Sequence, residues 1–178
     1  MNKYIRIIIE FVIFAVCVCL DRLTKLWAVN TLKDKPSIPI IENVVEFYYL
    51  PNGNTGAAFG MLKGHQSLFF VIALVVVLLI GYLLFNMPSD NKYNLINLLL
   101  VLIAAGGVGN MIDRFIQNYV VDFIYISCIN FPIFNVADMY VSVSTVILAI
   151  YLIFILKEED YVKIETSLKA PFKRKSKS

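Results

Sequence analysis

From Ser67 to Phe85 the chain runs without one charged side chain and includes the stretch VIALVVVLLI. As an α-helix this run is about 28 Å long, close to the thickness of the hydrocarbon layer of a bilayer. A helix that is apolar on every side needs either lipid or the middle of a large core around it. A chain of 178 residues offers no large core. Its composition agrees, because 59% of the residues are hydrophobic and 16% charged, with a mean hydropathy of +0.74. A soluble domain carries about a quarter of its residues charged. The chain is therefore expected in a membrane, as one domain rather than two.

Three more apolar stretches, Ile7 to Ala28, Leu95 to Ile112 and Val136 to Leu156, are long enough to span. The expected fold class is an all-α membrane protein with four transmembrane helices. The first stretch follows Lys3 and Arg6 as a secretory signal would, yet no small-residue cleavage site ends it, and it runs on into Asp21, Arg22 and Lys25. It is expected to stay as a helix. FAVC, ending at Cys17, lacks the small residue that a lipidation box carries before its cysteine.

With four spans both termini share a side, which collects Lys3, Arg6, Lys92 and seven Lys or Arg from Lys157 to Lys177. That side is expected to be cytoplasmic. Residues 1–156 then form the membrane domain, with outer loops 29–66 and 113–135. Residues 157–178 form a basic tail expected to be solvated or to touch lipid headgroups rather than to fold as a unit. Nothing in that tail points to nucleic acid. Within the first outer loop, Glu42 to Leu50 is β-branched and aromatic, lies between Pro39 and Pro51-Asn52-Gly53, and predicts a strand or hairpin at the outer surface.

Cys17, Cys19, Cys128 and the single histidine, His65, show no ligand spacing, so neither a metal nor a cofactor is expected. The polar residues gather instead at the outer ends of the spans. Asp21 and Lys25 are i,i+4 and read as a structural ion pair. Asn110, Asp113 and Arg114 share a helix face, on which Arg114 can pair with Asp113 or donate to a carbonyl or a bound anion. Ala104 to Gly109 removes side-chain bulk, which suits helix packing at least as well as a substrate groove. Asn135 and Asp138 are i,i+3 at the start of the last span, where the asparagine can cap the helix or orient the acid. Asp122 lies among Val120, Val121, Phe123 and Ile124, surroundings that raise a carboxyl pKa, and a neighbouring carboxylate raises it further.

Two carboxyls that share a proton can hydrolyse an amide without a nucleophilic side chain, and no Ser/His or Cys/His arrangement competes for that role. Two aspartates near the outer face also suit a proton or cation path in a small transporter, and spacing alone does not separate the two readings.

Five blocks in order, DRLTK (Asp21 to Lys25), NTGAAFG (Asn54 to Gly60), GNMIDR (Gly109 to Arg114), VVDFI (Val120 to Ile124) and FPIFNVAD (Phe131 to Asp138), resemble those of the bacterial lipoprotein signal peptidases, type II. The resemblance implies an integral-membrane aspartyl endopeptidase of the bacterial cell membrane. Such an enzyme cuts prolipoproteins just before a diacylglyceryl-modified cysteine, at the outer face. It implies Asp122 and Asp138 as the catalytic dyad. Asn54, Asn110, Arg114 and Asn135 match residues that contact substrate or cyclic peptide antibiotics such as globomycin. Asp21, Lys25, Gly56, Gly109 and Asp113 match structural positions, and a small β-cradle is implied above the helices. The chain departs from the family pattern at Arg22, Gly53 and Met139.

Overall fold

The computed structural model describes residues 2–56 and 66–175. His65 and the second half of the NTGAAFG block, Ala57 to Gly60, lie outside the described residues. Among the described residues there are five α-helices: α1 (Lys3–Leu32), α2 (Gln66–Asn86), α3 (Asn94–Gln117), α4 (Val136–Phe154) and α5 (Glu158–Lys175).

Three of them, α2, α3 and α4, are long and apolar enough to cross a bilayer. The stretch expected as a fourth span lies inside α1, whose apolar run is interrupted by Glu10 and flanked by Arg6 and Asp21. Among the described residues, length and composition therefore give three candidate spans. α3 sits at the centre and packs against α1, α2 and α4. Its small residues explain how closely: a Cβ on Gly106 would lie 2.4 Å from the Ala137 carbonyl oxygen, and one on Gly109 would lie 2.4 Å from Asp21 Oδ2. α2 leaves Val71, Val75, Leu78 and Leu79 exposed, as a lipid-facing helix does.

At the end of the bundle holding the chain's N-terminus, Arg6 is buried. It donates to the carbonyls of Leu84 (3.0 Å), Met87 (3.0 Å) and Pro88 (2.8 Å), and it pairs with Glu10 at 3.3 Å. The guanidinium thus satisfies carbonyls that the end of α2 leaves without intrahelical partners.

At the opposite end, β1 (Ile38–Ile41), β2 (Val45–Phe47) and β3 (Ile124–Tyr125) form an antiparallel sheet in the order β1-β2-β3. The strand or hairpin expected over Glu42 to Leu50 is the second half of a hairpin that begins at Ile38, turns at Asn43, whose φ is +58°, and recruits a third strand from the loop after α3. Trp27 of α1 meets Phe47 and Phe123 edge-on, with ring centroids at 5.0 and 6.1 Å, and Ala28, Leu32, Tyr49 and Val121 close the cluster. This apolar plug seats the sheet on the end of α1.

The tail differs from expectation. Residues Glu158 to Lys175 are helical rather than unfolded, because Asp160 is fully buried between Lys92 and Tyr93 and Ile164 packs on the core.

Candidate active site

The loop that carries Asp122 is pinned on both sides by backbone hydrogen bonds. Asn54 and Val120 exchange N–H···O bonds of 2.9 Å, Leu50 N donates to the Asp122 carbonyl at 3.0 Å, and Phe123 N donates to Phe134 O at 3.0 Å. The side chains of Val120, Val121 and Phe123 are buried around it, and Asp122 itself is 1% exposed. Asp138 comes from elsewhere. It is the third residue of α4 and closes a capping box, in which Asp138 N donates to Asn135 Oδ1 at 3.0 Å and Asn135 N donates back to Asp138 Oδ2 at 3.1 Å.

Side-chain amides join the two acids. Asn135 Nδ2 donates to Asp122 Oδ1 at 2.6 Å, Asn54 Nδ2 donates to Asp122 Oδ2 at 2.8 Å, and Asn110 Nδ2 donates to Asp138 Oδ1 at 2.8 Å. Each amide is held in one orientation. The Gly56 N–H occupies Asn54 Oδ1, the Asp138 N–H occupies Asn135 Oδ1, and Asn110 Oδ1 accepts from both Lys25 Nζ (2.8 Å) and Asn135 Nδ2 (3.2 Å). None of the three can flip without setting donor against donor.

Behind Asn110 lies a buried charge cluster. Lys25 reaches Asp21 at 2.9 Å and Asp113 at 3.0 Å, so its three protons are used by those two carboxylates and Asn110. Arg22 also pairs with Asp113. Two cations thereby balance two anions in a site where an unpaired charge is strongly unfavourable. Asp21 Oδ1 accepts from the Ala137 N–H at 3.1 Å and Asp113 Oδ2 from the Val121 N–H at 3.2 Å, which ties the cluster to the backbone beside each acid. Arg22, a departure from the family pattern, has a local reason here. Asp113 uses Arg22 and Lys25, and Arg114 instead donates to the carbonyls of Asn110 (3.4 Å) and Gly56 (3.3 Å) while lying over the Phe69 ring.

A cleft of about 330 Å³ opens over these groups, lined by Asn54, Asn110, Arg114, Asp138, Ser142 and the segment Phe131 to Phe134. Asp138 is half-buried at its wall, while Asp122 is sealed beneath. Burial pushes the Asp122 carboxyl up to about 7, the negative charge of Asp138 adds to the rise, and the bonds from Asn54 and Asn135 oppose it. The arrangement therefore offers an acid that keeps its proton close to neutrality, a second carboxyl with a cleft in front of it, and a guanidinium whose charge acts on both.

Of the residues singled out from sequence, Asn54, Gly56, Asn110, Arg114 and Asp138 line the cleft, Asp122 and Asn135 lie buried beneath it and hydrogen-bonded to that lining, and Asp21, Lys25, Gly109 and Asp113 belong to or pack against the charge cluster behind Asn110. Sequence reading missed Phe131 to Phe134 as a cleft wall and Ser142 one turn beyond Asp138. It also missed the link from Lys25 to Asn110. The helical spacing of Asp138 and Ser142, i and i+4, was the available signal for the serine.

Comparison with known proteins gives concordant results. Residues 13–154 match the family model of signal peptidase (SPase) II. A lipoprotein signal peptidase of Clostridium tetani (strain Massachusetts / E88) is 41% identical over 155 residues, covering 85% of this chain and 95% of the relative. That of Streptococcus pyogenes serotype M1 is 41% identical over 145 residues, covering 81% and 90%. Two solved structures, described as bacterial membrane enzymes studied by the in meso method, superpose with a TM-score of 0.70 each. One, at 2.3 Å resolution, has 32% identity and covers 80% of this chain and 85% of its own. The other, at 1.9 Å, has 30% identity and covers 83% and 94%.

Proposed function

Because the chain belongs to the signal peptidase II family, we propose that it removes signal peptides from prolipoproteins as an aspartyl endopeptidase, with Asp122 and Asp138 as its dyad. The observation that carries this reading is the single amide of Asn135, which holds Asp122 Oδ1 at 2.6 Å and, through its carbonyl oxygen and backbone N–H, the first turn that carries Asp138.

In the proposed reaction the substrate enters sideways from the bilayer. Its acyl chains stay among lipids and its signal-peptide helix docks between spans, placing the peptide bond before the modified cysteine in the cleft. Asp138 takes a proton from a water as its oxygen attacks the scissile carbonyl, and Asp122 gives its proton to the carbonyl oxygen. The C–N bond of the resulting tetrahedral diol then breaks. The proton held by Asp138 passes to the leaving amine and a diol hydroxyl proton returns to Asp122, which restores the starting state. A dyad with one proton carries one negative charge, and Arg114 supplies the matching positive one. Asn54, Asn110, Arg114 and Asn135 contact the substrate, and the same lining takes cyclic peptide inhibitors such as globomycin. No cofactor takes part.

The position of the chain follows from the same reading. α1 serves as the fourth span, since Asp21, Arg22, Lys25, Arg6 and Glu10 all have partners inside the bundle and need not face lipid. Both termini lie in the cytoplasm, as the excess of basic residues on that side favours, and the β-sheet and cleft lie at the outer face of the bacterial membrane. Water reaches the acids there while the acyl chains remain in hydrocarbon.

The test is direct. Purified protein mixed with a prolipoprotein peptide bearing a diacylglyceryl cysteine is expected to cut on the amino side of that cysteine. An intact peptide after prolonged incubation with folded protein would overturn the proposal.

A further inference from the structure

α5 has two unlike halves. From Glu158 to Leu168 it carries four acidic residues and one basic one, whereas from Lys169 to Lys175 it carries four basic residues and no acid. The acidic half is held on the bundle. Asp160, 1% exposed, accepts from Lys92 Nζ at 2.6 Å, Tyr93 Oη at 3.1 Å and the Lys157 N–H at 3.0 Å. Ile164, one turn on, packs against the cluster of Tyr93, Ile96 and Leu156. One turn further, the Leu168 carbonyl accepts from Tyr82 Oη of α2 at 2.7 Å. Asp160, Ile164 and Leu168 are spaced i, i+4, i+8, so a single stripe of the helix faces the bundle.

That last contact determines where the basic half emerges. Tyr82 lies one turn from the end of α2, the least buried of the three candidate spans, and Arg6 marks the same level by satisfying the carbonyls at that helix end. α5 continues beyond Leu168 from this contact near the end of α2, a level that in a spanning chain is headgroup depth. A clustered positive charge at that depth is complementary to anionic headgroups and is attracted over about a Debye length.

We propose that α5 is a surface helix latched to the bundle through Asp160, and that its basic end, Lys169 to Lys175, binds the anionic headgroups of the leaflet at that end of the bundle. The latch and the basic end act in series: the first directs the second to the bilayer rather than into solvent. The proposal requires that the chain span a bilayer, and it does not depend on the peptidase activity.

Hydrogen–deuterium exchange of the full chain in lipid nanodiscs tests it. The backbone amides of Lys169, Ala170 and residues 172–175 are expected to exchange at least about fivefold more slowly in phosphatidylglycerol-containing discs than in pure phosphatidylcholine discs. The difference should vanish at high salt and in the combined variant Lys169→Gln, Lys173→Gln, Arg174→Gln, Lys175→Gln. In that variant the amides from Asp160 to Leu168 should keep wild-type protection, which shows that the latch persists and the helix is folded. Equal exchange in the two kinds of disc would overturn the proposal and leave the basic end to a soluble acidic partner. So would protection that survives the loss of the four charges.

Discussion

Asn135 donates from Nδ2 to Asp122 Oδ1 at 2.6 Å while its own Oδ1 accepts the N–H of Asp138 at 3.0 Å. One side chain thereby caps a helix and orients an acid sixteen residues upstream of the acid in that helix's first turn. Stability and site geometry are linked at this residue, because the capping interaction that starts α4 also fixes which amide atom faces Asp122.

Replacing either acid by its amide, Asp122→Asn or Asp138→Asn, is expected to lower kcat for a lipidated prolipoprotein peptide by about 10² to 10⁴-fold, the range for loss of a general acid or base. The circular dichroism of the detergent-solubilised protein should stay the same. Undiminished cleavage by both variants would remove Asp122 and Asp138 as the dyad.

In the proposed reaction the proton on Asp122 sets an alkaline limit. Its carboxyl ionises at about 7 rather than near 3.8, so above that pH the dyad loses its general acid, and kcat/KM should fall about tenfold per pH unit. Asn54→Ala deletes a hydrogen bond that favours the charged carboxylate, so the alkaline limb should move to higher pH even as the maximal rate drops. A limb that stays in place or moves to lower pH would show that Asn54 does not act on Asp122. For stability the sign is equally definite. The native state holds a proton that the unfolded state releases near 3.8, so this contribution is fully present below that value and is lost as pH rises toward about 7.

Two glycines of α3 separate crowding from helix propensity. A Cβ at Gly109 would stand 2.4 Å from Asp21 Oδ2 and 3.0 Å from its Cγ, whereas one at Gly107 would meet only Val77 Cγ2 at 3.3 Å. Gly109→Ala should destabilise by about 1 to 3 kcal/mol through overpacking and reduce cleavage by displacing the charge cluster. Gly107→Ala should be close to neutral in both. Thermal unfolding in detergent, run beside the cleavage assay, checks the pair.

Asp21→Ala removes one of the two carboxylate partners of Lys25 and the acceptor of the Ala137 N–H together. Breaking a buried ion pair on one side costs about 3 to 5 kcal/mol. A large fall in Tm is therefore expected, with activity lost in proportion to the folded protein. A wild-type Tm would show that the cluster is not structural.

Much of this site was legible along the chain because the relevant contacts are local. The i,i+4 pair of Asp21 and Lys25, the shared face of Asn110 and Arg114, and the cap of Asn135 on Asp138 each lie within a single helical turn. The contacts that join these pieces were not legible. Lys25 to Asn110 spans 85 residues, Arg22 to Asp113 spans 91 and Asn54 to Asp122 spans 68, and helical periodicity carries no information at that range. The α5 latch was hidden for the same reason, since Asp160 looks like any solvated acid until Lys92 and Tyr93 close on it.

The sequence by itself determined that this chain enters a membrane, where its apolar helices lie, and that its polar residues concentrate at one end. Transfer of side chains to lipid is a property of composition and period, readable one segment at a time. Only the tertiary structure decided which atom of each asparagine faces which carboxyl, that Asp113 is held by Arg22 and Lys25 and not by Arg114, and that the acidic half of the tail is docked. Those outcomes depend on charges and amides being satisfied away from water by partners far along the chain. Satisfaction of that kind is a property of the packed whole.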